Sequence, residues 1–202
     1  MANVNAPFGL RPVKTINGAS WNDQGNLYHI PAGDTSAYYI GDVVKSAANA
    51  DANGVPDVAK AAGTDVLRGV IVGVLASVPY GTSLQGATLD LANTFIPATK
   101  TRDYYVMVND DPETVFECQG DATATNQVAA NSNKNASLTI TAPTAPGQWS
   151  NTVISSSTIN TTNTLNMKLM GLAQKPNNAF GAYARWLVKI NLHELAGGTA
   201  GI

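Results

Sequence analysis

The chain has 202 residues and a formal net charge of −2; 44% of its residues are hydrophobic but only 13% are charged. Twelve cations scattered singly among fourteen acids make no basic face for nucleic acid, and no run approaches the roughly 18 apolar residues of a membrane-spanning helix. The single cysteine, Cys118, excludes an intrachain disulfide or a cysteine zinc cluster, so the chain is expected to fold in a reducing cytoplasm.

Soluble domains average about 25% charged residues. Here Ala, Gly, Thr, Ser and Asn replace the missing charge. Small polar side chains lose little rotamer freedom when covered, and Lys and Glu are the residues depleted from contact surfaces. Composition therefore points to a component of an assembly.

Residues 1–22 read as an extended arm. Pro7 and Pro12 fix φ and push their predecessors toward extended backbone. Asn3, Asn5, Pro7 and Gly9 interrupt any apolar run, and no basic segment precedes one, so a secretory signal is not expected. Strands are predicted at 27–30, stopped by Pro31 and Gly33, at 37–40, and after a Gly41-Asp42 turn at 43–45. Asp51-Ala-Asn53-Gly54 is a hairpin signal leading into 55–60. Residues 66–75 are apolar on both faces, which predicts a fully buried strand; Gly69 and Gly73 argue against a helix.

Tyr104–Val108 and Thr114–Cys118 alternate on either side of Asn109-Asp110-Asp111-Pro112, the pattern of a β-hairpin with a solvated tip. From 120 to 164 the chain is mostly small and polar, with weak strands at 137–141 and 149–154, and is not expected to build a core alone. Strand character returns at 164–170, with Leu165, Met167 and Leu169 on one face. A long turn follows at Lys175–Gly181, then a strand over 184–192 with Trp186, Val188, Ile190 and Leu192 inward. No helix of conventional length is predicted. The expected fold is all-β: a β-sandwich, jelly-roll-like, over residues 23–195, with the arm at 1–22, long irregular loops at 31–36, 46–57 and 109–113, and a mobile tail at 196–202.

Catalytic patterns do not assemble from the sequence. Asn49-Ala-Asp51-Ala-Asn53-Gly54 approximates a calcium loop, but its first ligand is Asn and its twelfth position is Lys60, so a plain turn is expected. The acids Asp110, Asp111, Glu113, Glu117 and Asp121 are read as a solvated turn region. His29 and His193 lie far apart without a nucleophile at a working spacing, and no hydrolase elbow, phosphate loop or metalloprotease motif occurs. Asn135 and Asn160 match a glycosylation sequon, without a targeting segment to bring them to that machinery. Trp186 fits the core face of its strand, whereas Trp21 and Trp149 stand in polar, turn-rich surroundings and are candidates for contacts between chains.

Three stretches, in order, resemble the capsid decoration (cement) proteins of tailed bacteriophages: Asn5–Val13 with Asn17–Asn22, Val108–Glu117, and Gly171–Ala184 continuing through Leu187–Glu194. The resemblance implies a non-enzymatic structural virion protein without cofactor or metal. Such a protein binds the outer surface of an icosahedral HK97-type shell and cements neighbouring capsomers. Its partners would be the major capsid protein and itself, as a homodimer or homotrimer at two-fold or three-fold positions, with neither nucleic acid nor membrane. It would be made in the host cytoplasm and end on the outer capsid surface. The candidate contact residues are Pro7, Phe8, Leu10, Arg11 and Pro12 of the arm with Trp21 and Trp149. A clamp that reaches another subunit could lose residues 2–12 without destabilising its own domain. The alternatives are a tail-tube, head-completion or fibre-associated virion protein, or a carbohydrate-binding or hydrolytic β-sandwich. That last reading would draw on Tyr38, Tyr39, Tyr104 and Tyr105, although adjacent tyrosines on a strand face opposite ways.

Overall fold

A computed structural model describes residues 3–75, 89–143 and 149–197. Its first seven strands are β1 (Arg11–Thr15), β2 (Asn26–Ile30), β3 (Tyr38–Tyr39), β4 (Val43–Ala50), β5 (Pro56–Lys60), β6 (Gly69–Val74) and β7 (Phe95–Ile96). The rest are β8 (Tyr104–Asn109), β9 (Thr114–Gln119), β10 (Asn135–Thr139), β11 (Val153–Asn160), β12 (Met167–Leu172) and β13 (Arg185–Ile190). The one helical element among the described residues is a three-residue 3-10 turn at Ala129–Asn131. The fold is all-β.

Five strands close into a barrel in the order β2-β5-β4-β6-β8, and six form a sheet in the order β1-β9-β13-β12-β10-β11. The sheet curls until its far edge returns to β9: Gly120 bridges Ile154, and the Asp121 carboxylate accepts the Ser156 amide at 2.8 Å. Strands β3 and β7 pair separately, with Tyr39 and Phe95 stacked. Closure of β2, β4, β5, β6 and β8 into a barrel departs from the expected stacked sandwich. A barrel removes free edges by pairing its first and last strands, and here β8 pairs β2 along five residues.

The two-residue period of a strand explains how the two units share one wall between separate interiors. Val44 and Ile71 point into the barrel with Tyr28, Ile30, Val58, Val106 and Val108. Their neighbours Val43 and Val70 point out of it, into the cluster of Phe116, Cys118, Leu138, Ile154, Met167, Leu169, Trp186, Val188 and Ile190. β4 and β6 are thus a wall common to two cores. That is why 66–75 carries apolar residues on both faces.

Several expectations require correction. The strands of the predicted hairpin, β8 and β9, do not pair with each other: β8 lies between β2 and β6, and β9 between β1 and β13. The Asn109–Pro112 turn instead carries the chain from barrel to sheet. Its Asp110 is buried, taking hydrogen bonds from the Tyr28 hydroxyl at 2.6 Å and the Asn26 amide at 2.7 Å, with Arg68 at 3.3 Å. The polar region 120–164 supplies β10 and β11 and places Ala136, Leu138 and Ile154 in the core. Residues 3–15 of the expected arm lie on the chain's own sheet, as the next subsection describes. Asp51-Ala-Asn53-Gly54 does form the predicted turn, the Asp51 carboxylate accepting the Asn53 and Val55 amides at 2.8 Å each. Residues 144–148 of the polar region and the tail from 198 onward lie outside the described residues.

A cleft bordered by the N-terminal segment

Strand β9 is buried on both faces, and its two faces differ in chemistry. Phe116 and Cys118 face the core, whereas Glu117 and Gln119 face outward and are still 0% and 1% exposed. The N-terminal segment covers them. The Ala6 amide donates to Gln119 Oε1 at 3.0 Å, Gln119 Nε2 donates to Asn5 Oδ1 at 3.0 Å, and Asn3 Nδ2 reaches the carbonyls of Ala179 and Ala182 at 2.8 Å. Glu117 accepts Arg11 and Lys175, each at 2.5 Å. Burial pushes the Glu117 carboxyl toward the neutral form, but the hydrogen bonds from Lys175 and Arg11 outweigh it and hold its pKa below the ordinary value.

Gly9 lets the segment turn inward. Its φ is +71°, and a Cβ there would overlap the Gly41 carbonyl oxygen and come within 2.6 Å of Ser150 Cβ. The turn seats Leu10, 1% exposed, in the core, with its amide donating to Gly41 O at 3.0 Å. Leu10 is therefore a packing residue rather than an open contact. β1 then pairs with β9, Arg11 opposite Glu117.

The remaining candidates, Pro7 excepted, gather around one opening. A cleft of about 540 Å³ is lined by Phe8, Arg11, Pro12, Trp21 and Trp149 together with Leu10, Ile40 of the turn before β4, and Ile71 and Val72 of β6. Of the seven residues singled out in the sequence, only Pro7 is missing from the lining. Trp21 is placed by its amide, which donates to Val13 O at 3.2 Å, and by its indole, which donates to Gln24 O at 3.2 Å. Trp149 is 51% exposed and fixed by the next residue: the Ser150 amide donates to Ile40 O, and its hydroxyl to buried Asp42 at 2.5 Å. Arg11 and Arg185 lie 5.0 and 5.6 Å from the centre of the Phe8 ring. Sequence reasoning missed Arg185 as a cleft residue. Its only signal was the outward phase of the last strand.

Other chemistry stays dispersed. His29 Nδ1 lies 2.6 Å from Asp57 inside the barrel wall, whereas His193 bridges Leu67 at the C-terminal end. Among the described residues no three His, Cys, Asp or Glu side chains gather as metal ligands. Tyr38, Tyr39 and Tyr105 are buried, so the tyrosines weighed as a sugar platform do not form one. Burial pushes the Cys118 thiol up to about 12. No family model, curated protein or solved structure matches the chain.

Proposed function

We propose that this chain is a structural virion protein that binds the outer surface of an icosahedral HK97-type phage shell as a decoration or cement protein. The observation that carries this reading is the convergence of the three stretches that resemble that family. They are far apart in sequence, yet β1, β9 and β13 are consecutive neighbours in the sheet, and the 171–184 segment meets residues 3–11 through Asn3, Lys175 and Glu117. The resemblance thus describes one contiguous piece of structure.

That piece ends at the cleft, which adds a physical reason for docking. Aromatic residues and Arg are enriched in contact surfaces. Trp21, Trp149, Phe8, Pro12, Arg11 and Arg185 make such a surface. The N-terminal segment contributes by building this wall, bound to its own domain. The partner in this reading is the major capsid protein, with a second copy across a symmetry axis.

Co-sedimentation with phage heads stripped of their accessory proteins tests the function. Saturable binding at a fixed number of copies per shell is expected. Trp149→Ala should weaken it at least tenfold, the scale of an interface anchor, while leaving the melting temperature unchanged because the ring is half-exposed. Binding to isolated tails instead of heads would move the chain to a tail or head-completion role.

A further inference from the structure

We propose that the cleft receives an extended peptide segment carrying a carboxylate next to an aromatic or branched apolar side chain, with the carboxylate held by Arg185. The ligand chemistry is argued from the cleft alone; that the segment belongs to the shell protein rests on the proposed function.

Charge comes first. Glu117 is already shared by Arg11 and Lys175, so one buried carboxylate answers two cations. The Arg185 guanidinium pairs with no carboxylate among the described residues; its one aromatic contact is the Phe8 face. Asp23 is the single acid among the described lining residues. A chain with net charge −2 therefore keeps an excess of positive charge on this wall, which suits an anion. A guanidinium binds a carboxylate through two parallel N–H donors, a geometry that gives direction as well as attraction.

Shape and polarity narrow the class. About 540 Å³ is room for a few side chains rather than a folded domain. Most of the lining is apolar, including Phe8, Pro12, Trp21, Val72 and Trp149. A sugar would bring a hydroxyl on nearly every carbon into a wall with few partners, and unpaired polar groups cost free energy. A nucleic acid needs several phosphates met at once. A peptide with one acid beside one large apolar residue satisfies both halves of the cleft.

The test is an NMR titration of the ¹⁵N-labelled full chain with the blocked pentapeptide acetyl-Gly-Asp-Trp-Pro-Gly-amide and its Asn-Trp and Asp-Ala counterparts. The Asp-Trp peptide should shift the indole signals of Trp21 and Trp149 but not that of buried Trp186. Replacing its Asp by Asn should weaken binding about tenfold, the worth of a charge-assisted hydrogen bond. Arg185→Gln should give the same loss and make the protein indifferent to Asp or Asn; Arg185→Lys should restore part of the preference. Equal affinity for the Asp and Asn peptides on the unaltered chain overturns the proposal, without needing any variant to fold. So does a response of the same indoles to cellohexaose and not to peptide. Head binding without peptide binding sinks the cleft proposal alone, and peptide binding without head binding sinks the decoration reading alone.

Discussion

Alanine at Gly9 tests whether the first residues belong to the domain or hang from it. A free arm would tolerate it. In the structure Gly9 has φ +71°, and the added Cβ would overlap the Gly41 carbonyl and stand 2.6 Å from Ser150 Cβ. Backbone strain for an L-residue there costs about 1 kcal/mol. The overlap cannot be relieved by a side-chain rotation, so the segment must move, losing the Leu10–Gly41 hydrogen bond, worth about 1 kcal/mol. Lifting Leu10 out of the core adds about 2 kcal/mol, the low end of a buried leucine truncation. The sum, about 4 kcal/mol, corresponds to a Tm lower by roughly 8–16 °C for a domain of this size. Gly18→Ala is the control: its φ is +93°, but no atom lies within 4 Å of the added Cβ, so only strain remains, about 2–4 °C. Scanning calorimetry of both variants decides the matter. Equal Tm losses for Gly9→Ala and Gly18→Ala would refute the packing of the N-terminal segment on its own domain.

Glu117 has a folded pKa below its ordinary value of 4.5, so its contribution is complete above that value and disappears as pH falls through the folded pKa. The stability gap between wild type and Glu117→Gln, measured by urea unfolding, should shrink from pH 6 to pH 3; a constant gap would mean the carboxylate is not held by Arg11 and Lys175. Asp110→Asn should cost about 2–3 kcal/mol, because the charge that faces Arg68 and accepts from Tyr28 is lost inside the protein. A change under 0.5 kcal/mol would restore a solvated hairpin tip. Cys118 should resist Ellman's reagent in the native state and react at once in 6 M guanidinium; rapid native labelling would contradict its burial and raised pKa.

Strand content was legible because alternation is local. Trp186, Val188 and Ile190 fall in the core as their spacing requires, and the double-faced run reads correctly over β6, although the strand begins only at Gly69 and Val66 is 49% exposed. Partner choice was not local. The Asn109–Pro112 turn has the residues of a hairpin, but both edges of β8 and both edges of β9 are taken by other strands. Nothing in residues 104–118 encodes that competition. Region 120–164 reads correctly as unable to build a core alone, because β10 and β11 each bring few apolar side chains and depend on Phe116, Trp186 and Leu169 to complete it. Phe8, Arg11, Pro12, Trp21 and Trp149 stand out by type, as large or cationic groups in poor core surroundings, and all five line one cleft. Their meeting in one cleft depends on Gly9 turning the segment inward and on Ser150 anchoring to Asp42, neither of which leaves a pattern in the sequence. Leu10 was misassigned for the same reason.

The most direct measurement is a cryo-electron microscopy reconstruction of heads saturated with the purified chain. The expected result is density on the outer shell surface at two-fold or three-fold positions, with the Phe8–Trp21–Trp149 cleft turned toward a capsomer and an extended shell segment beside Arg185. Density confined to the tail or portal vertex would contradict the decoration role. A bound chain with its cleft facing solvent would contradict the contact surface.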